Sequence, residues 1–125
     1  MPTFTFDTNV IIYYLKGDEK ASFVVEEIFK GNPSIYISTI TEVELFGFSK
    51  ITEIEANQIE KILETVSIIT LDSRIARMAA RIRQLYKLKT ADSVIAATAL
   101  FTGSVLVTRN VKDFSKVTDL QIKAI

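Results

Sequence analysis

Thr3-Phe4-Thr5-Phe6-Asp7-Thr8-Asn9-Val10-Ile11-Ile12 is the stretch on which the reading of this chain turns. Four β-prone residues stop at a polar triplet, and an apolar run resumes at once. The pattern predicts a short strand, an elbow that carries a carboxylate, and a short buried helix stopped by Gly17. Similar units follow downstream. Ile35-Tyr36-Ile37 reads as a strand with Ser38 as its polar stop, before a helix capped by Thr39 or Thr41 and running to about Lys50. Ser67–Leu71 and Val105–Val107 read as further strands, and Leu120–Ile125 as a last edge strand. Between them, Val24, Val25, Ile28 and Phe29 fall at helical spacing, as do Ile59, Ile62, Leu63 and Val66. Ile75, Met78, Ile82 and Leu85 mark a long helix to about Leu88, and Thr90 caps another over Ala91–Phe101, ended by Gly103. Strands alternating with helices predict an α/β fold, a mainly parallel sheet with helices on both faces. In such sheets ligands bind beyond the carboxyl ends of the strands.

Composition narrows the chemistry. The chain has 125 residues, no cysteine and no histidine. This length suits a single domain over residues 1–125, able to bury about two-thirds of its unfolded surface without disulfides or a structural metal. Thiolate and imidazole nucleophiles, iron–sulfur clusters and thiolate zinc sites are excluded, so a metal must be held by oxygen, which suits Mg²⁺, Mn²⁺ or Ca²⁺. Lys plus Arg and Asp plus Glu both number 15, so the formal charge is zero. No run approaches a membrane span and no basic leader precedes Asp7, so a cytoplasmic protein without a membrane partner is expected.

Acids gather where the fold would bring strand ends together. Asp7 follows the first strand, Glu44 lies early in the helix after the second, and Asp92 sits in the first turn of the helix beginning near Thr90. Asn110 and Asp113 follow Val105-Leu106-Val107. Taken singly, Asp92 also suits a helix dipole and Glu44 a solvated helix face. Asp7 is flanked by apolar runs, and buried carboxylates are rarely idle. Carboxylates sharing one pocket repel, and a divalent cation resolves that repulsion. One or two such ions activate water for in-line displacement at phosphorus.

Four segments carry a resemblance. Phe4–Ile12 resembles the opening motif of PIN-domain nucleases, especially the VapC toxins of toxin–antitoxin pairs. Ile37-Ser38-Thr39-Ile40-Thr41-Glu42-Val43-Glu44-Leu45 is similar to their second motif, in which the acid precedes Leu, which selects Glu44 over Glu42. Thr90–Leu100 resembles the third, with Asp92 as its acid, and Leu106–Phe114 the fourth. The segments stand in family order and span essentially the whole chain. The resemblance implies a PIN-like three-layer α/β/α fold and a Mg²⁺ or Mn²⁺ site. It also implies endoribonuclease activity on RNA, a homodimer and a cognate antitoxin protein. Asp7, Glu44 and Asp92 would be the catalytic and metal-site acids. Some PIN domains carry a fourth acid where this chain has Asn110, which leaves Asn110 and Asp113 as further metal-shell candidates. Thr8 and Asn9 would support the first acid, and Thr108 the metal shell. The alternative is a PIN-like binding module for RNA or protein with a weak or inactive metal site.

Charge is unevenly spread. Arg74, Arg77, Arg81, Arg83, Lys87 and Lys89 follow one another with no acid between them. Arg74, Arg77 and Arg81 share one helical face, and with Arg109 and Lys112 they are the RNA-binding candidates. Phe4, Phe6, Phe23, Phe29, Phe48, Phe101 and Phe114 read mostly as core or interface, while Tyr13 or Tyr14 could stack on a base. Haloacid-dehalogenase-like phosphatases need a second acid where Asn9 stands, and response-regulator receivers need paired acids after the first strand. Neither rival fits.

Overall fold

The computed structural model describes residues 2–47 and 49–125. In chain order the elements are β1 (Thr3–Phe6), α1 (Thr8–Leu15), α2 (Glu19–Lys30), β2 (Ser34–Ser38), α3 (Thr39–Phe46) and α4 (Glu53–Leu63). There follow β3 (Ser67–Ile69), α5 (Ser73–Tyr86), α6 (Thr90–Thr102), β4 (Val105–Thr108), α7 (Val111–Phe114) and β5 (Ile122–Ala124). The five strands form one sheet in the order β3-β2-β1-β4-β5, with every neighbouring pair parallel. The chain builds outward from β1 to β3, then returns to lay β4 against the other side of β1. That reversal places the topological switch point between β1 and β4, where parallel sheets open their ligand crevice.

Period-2 alternation sorts the strand residues into two layers. Phe4 and Phe6, Ile35 and Ile37, and Val107 face α1, α2, α3 and α4, where they join Val10, Ile11, Val25, Ile28, Leu45 and Ile59. Leu106 faces the other way, into a core of Ile75, Ala79, Ile82, Val94, Ile95 and Phe114 contributed by α5, α6 and α7. Thr5, on that second face, is fully buried but not unpaired: its hydroxyl lies 2.6 Å from that of Ser104. Each fully buried aliphatic side chain of these cores contributes about 1.5–3 kcal/mol relative to exposure. None of the helices among the described residues is long and apolar enough to cross a membrane.

Several local expectations are corrected. The cap of α3 is Ser38, whose hydroxyl accepts the Ile40 N–H. Thr39 instead accepts the Leu71 N–H across 32 residues of sequence, and Thr41 is buried against α1. Helix α3 stops at Phe46 rather than near Lys50. A new helix begins at Glu53, capped by Thr52, which forms a reciprocal capping box with Glu55. The cap of α6 is Lys89, not Thr90: the Lys89 carbonyl takes both the N–H and the hydroxyl of Ser93, which starts the helix one residue earlier. Helix α5 ends at Tyr86 because Lys87 takes up a left-handed conformation. Phe6 and Phe114 are buried, yet Phe23, Phe29 and Phe101 are exposed, and Phe48 lies outside the described residues.

Candidate functional site

Asp7 is the first residue past β1. Its N–H donates to the Val107 carbonyl of β4, which continues the sheet ladder by one residue and fixes the Cα. The side chain turns inward, only 4 % exposed, and its Oδ2 accepts the Thr108 hydroxyl at 2.8 Å. The Asn110 N–H donates in turn to Thr108 Oγ1 at 3.0 Å. A hydroxyl that both accepts and donates in this way has its proton committed to Asp7. The carboxyl is nevertheless pushed up to about 6. Burial is the main cause, the Thr108 hydrogen bond opposes it, and the charges of Asp92 and Glu44 push it further up.

Thr8 opens α1, and its buried hydroxyl donates to Glu44 Oε1 at 2.7 Å while lying 3.0 Å from Thr41 Oγ1. Thr41 and Glu44 are three apart on α3, so one helical face delivers both to Thr8. Glu44 itself is exposed. Asp92 is half-buried in the first turn of α6, and its carboxyl is also raised, first by burial and then by Glu44 and Asp113. Asp113, on α7, is held below the usual carboxylate range, chiefly because Asn110 Nδ2 donates to its Oδ2 at 3.0 Å. Asn9 is exposed.

The sheet thus brings Asp7, Glu44, Asp92 and Asp113 within electrostatic range of one another at its carboxyl edge. It does not close them into a cage: among the described residues no three acids stand together tightly enough to hold an ion by themselves. Mg²⁺ needs no such cage, since it takes one or two carboxylates and keeps waters. The donor set is entirely oxygen, and two of its carboxyls are raised by burial and mutual repulsion. Both features fit a hard divalent cation and exclude a soft one.

The basic residues divide. Arg77, Arg81 and Lys112 are exposed. Arg74 donates to Asp72 and covers the Phe101 ring at 5.0 Å. Arg109, grouped by sequence with the RNA-binding residues, is already engaged. Its guanidinium donates through two nitrogens to Asp18, at 2.8 and 3.2 Å, and lies 4.0 Å over the Tyr13 ring. Tyr13 therefore stacks on an arginine. Asp18 went unread in the sequence, and Thr41 was read there only as a helix cap. Asp18 stands three residues before Ala21 at a helix start, where its carboxylate accepts the Ala21 N–H, and Thr41 stands three before Glu44. Those spacings were the available signals.

Comparison with known proteins places this arrangement. The PIN domain family model matches residues 4–120. Ribonuclease VapC1 of Haemophilus influenzae strain R2866 is 32% identical over 129 residues, covering 94% of each chain. Ribonuclease VapC19 of Mycobacterium tuberculosis H37Rv is 28% identical over 120 residues, covering 92% of this chain and 94% of that one. Among solved structures, VapBC-1 from nontypeable Haemophilus influenzae superposes with a TM-score of 0.80 at 30% identity, covering 98% of this chain and 97% of that one. VapBC2 from Rickettsia felis, bound to a DNA fragment from their promoter, gives 0.81 at 26% identity and 98% coverage of both chains. By sequence and by fold, the chain belongs to the PIN-domain family and, within it, to the VapC proteins.

Proposed function

We propose that this protein is a metal-dependent endoribonuclease and the toxin of a toxin–antitoxin pair. The observation that carries the reading is Asp7: a buried carboxylate locked by Thr108 at the switch point of a parallel sheet, with Asp92 and Glu44 near enough to raise its pKa. Asp7, Glu44 and Asp92 would hold Mg²⁺ or Mn²⁺, with Asn110 and Asp113 at the edge of its shell. When bound, such an ion supplies the Lewis acidity that offsets charge growing on phosphoryl oxygens and makes water a better nucleophile.

The chain's own residues do the positioning. Thr108 fixes which way the Asp7 carboxylate faces. Thr8 orients Glu44, and the first turn of α6 presents Asp92. Asn9, exposed beside them, supports the elbow on the solvent side. Proton transfer falls to a carboxylate or to water, since the chain has no histidine or cysteine. Arg77 and Arg81 on α5, with Arg74 beside them and Lys112 on α7, offer an exposed basic track for the RNA backbone. The neutral Asn110, whose amide is turned to Asp113, supports a second reading of the site as a weakly metal-binding module.

A cognate antitoxin is the expected partner, because the solved relatives are VapBC complexes. A cleft of about 260 Å³ lined by Ile12, Leu15, Leu45, Ile51 and Ile59, together with exposed Val43 and Ile54, suits a protein with apolar partners, a second copy of itself included. The same proposal places the protein in the cytoplasm.

Cleavage of a mixed RNA pool by purified protein with Mn²⁺, alongside Asp7→Asn, tests the proposal. Cleavage that needs both the ion and Asp7 is expected. A folded, antitoxin-free sample that binds RNA without cutting it would favour the binding module.

A further inference from the structure

We propose that Arg109 is a positioning residue: by clamping the α1–α2 turn to the end of β4, it holds Thr108 and Asn110 in the register that aims the Asp7 carboxylate. The inference rests on the nuclease reading above for its kinetic consequence but not for its structural one.

Three observations converge on Arg109. The first is the ion pair with Asp18. Both side chains are about one-third exposed, whereas the Lys30–Glu27, Arg74–Asp72 and Lys116–Asp113 pairs are more open to water. Two guanidinium nitrogens engage the one carboxylate, a planar match that lysine cannot make. The second is Tyr13, whose ring backs the guanidinium at 4.0 Å. Tyr13 and Asp18 come from the same turn: Gly17 adopts φ +78°, and the Asp18 N–H returns to the Tyr13 carbonyl at 3.0 Å. One side of the clamp is therefore a single rigid unit, pinned further because Asp18 also caps α2.

The third observation is what Arg109 joins to that unit. It sits between Thr108, which donates to Asp7, and Asn110, whose N–H donates to Thr108 and whose amide donates to Asp113. Asp7 caps α1 and Tyr13 lies toward its other end, so the Thr108–Asn110 segment reaches both ends of one short helix, through Thr108 at Asp7 and through Arg109 at Tyr13. A displacement of that segment would move the Thr108 hydroxyl and with it the orientation of Asp7. An arginine so placed is largely committed within the protein: carboxylate oxygens engage two of its nitrogens and an aromatic ring covers one of its faces.

Asp18→Asn separates the roles by sign. Asparagine caps a helix as well as aspartate, so α2 is kept while the charge that holds Arg109 is lost. The clamp predicts that kcat for RNA falls about tenfold with KM unchanged, because loosened geometry costs the chemical step rather than binding. A tightened KM with kcat unchanged would overturn it, since freeing Arg109 would then have supplied a phosphate contact. Glu27→Gln, which breaks an exposed pair on α2, serves as the control and leaves both parameters alone.

A second readout needs neither RNA nor metal. Amide hydrogen exchange at Asp7 and Asn110, whose N–H groups bond Val107 and Thr108, should quicken about tenfold in Asp18→Asn and Arg109→Lys, while amides within α6 are unmoved. Unchanged exchange at Asp7 and Asn110 overturns the clamp whatever the kinetics. If the wild-type protein cuts no RNA, the nuclease reading fails, and exchange alone decides the clamp.

Discussion

Asp7 and Glu44 reach the same edge of the sheet by opposite means. Asp7 hangs from the end of a central strand, is buried, and is fixed at both its backbone and its side chain by β4. Glu44 hangs from a helix, is exposed, and is held by one threonine hydroxyl. Strand ends fix position because their neighbours are hydrogen-bonded on both sides, whereas a long helix-borne side chain keeps its rotamers. The pairing joins a rigid anchor to an adjustable rim, which suits a site that takes an ion and a polyanion in turn.

The anchor's removal gives the largest expected effect. Asp7→Asn should lower RNA cleavage on the order of a thousandfold, the scale of losing a preorganised charge at a reacting centre. The same variant should be more stable than wild type at neutral pH in EDTA. The raised Asp7 pKa, about 6 against the ordinary 3.8, means the folded state holds more protons than the unfolded one between those values. Stability therefore falls as pH rises through that window, by about 3 kcal/mol in total. Urea unfolding at pH 5 and pH 7.5 spans the upper part of that window, so wild type should lose about 1.4 kcal/mol between them and Asp7→Asn should give a much flatter profile. Some slope should remain, because burial and its acidic neighbours raise the Asp92 carboxyl as well. Added Mg²⁺ should narrow the gap at pH 7.5. Parallel profiles for the two proteins would mean that Asp7 is not the strained group.

Thr108→Val tests whether the anchor's grip matters as well as its charge. The substitution keeps shape but removes the donor to Asp7 and the acceptor for the Asn110 N–H. Cleavage should fall about 10–100-fold, the range seen when a partner orienting a metal ligand is lost, and Mn²⁺ affinity should fall with it. On the rim, Glu44→Gln retains an oxygen for Thr8, so its folding stability should stay within about 0.5 kcal/mol of wild type. Its cleavage should drop about tenfold, far less than for Asp7→Asn and at the low end of the Thr108→Val range. A Glu44→Gln loss equal to that of Asp7→Asn would erase the distinction between anchor and rim.

Much of this was written in local sequence. Strand followed by polar elbow, at Phe6-Asp7 and Val107-Thr108, gave both the parallel sheet and the residues at its edge, because period-2 alternation and helix stops are short-range signals. Partner choice was not local. Thr39 rather than Leu71's own neighbours satisfies the Leu71 N–H, and Arg109 closes on Asp18 across 91 residues. An arginine near Lys112 reads as one more phosphate ligand, and only tertiary packing reveals that two of its nitrogens are bound to Asp18 and one face is covered by Tyr13. The α6 cap failed for a similar reason: Thr90 has the right chemistry, but the Ser93 bonds to the Lys89 carbonyl move the boundary.

The smallest expected effect lies on the basic track, where rim and anchor both give way to long-range charge. Arg77 and Arg81 are exposed on α5, one turn apart, with their guanidinium groups free to follow a flexible backbone. Alanine at either should raise KM for RNA about two- to fivefold and leave kcat unchanged, since each contributes a screened phosphate contact rather than geometry. The double variant should also lower the steepness with which binding weakens as salt rises. Because single strands release about 0.7 counterion per phosphate neutralised, two lost contacts should reduce that slope by about 1.4. If the slope stayed the same, the RNA would be travelling over a different face of the protein, and α5 would carry its charge for an acidic partner instead.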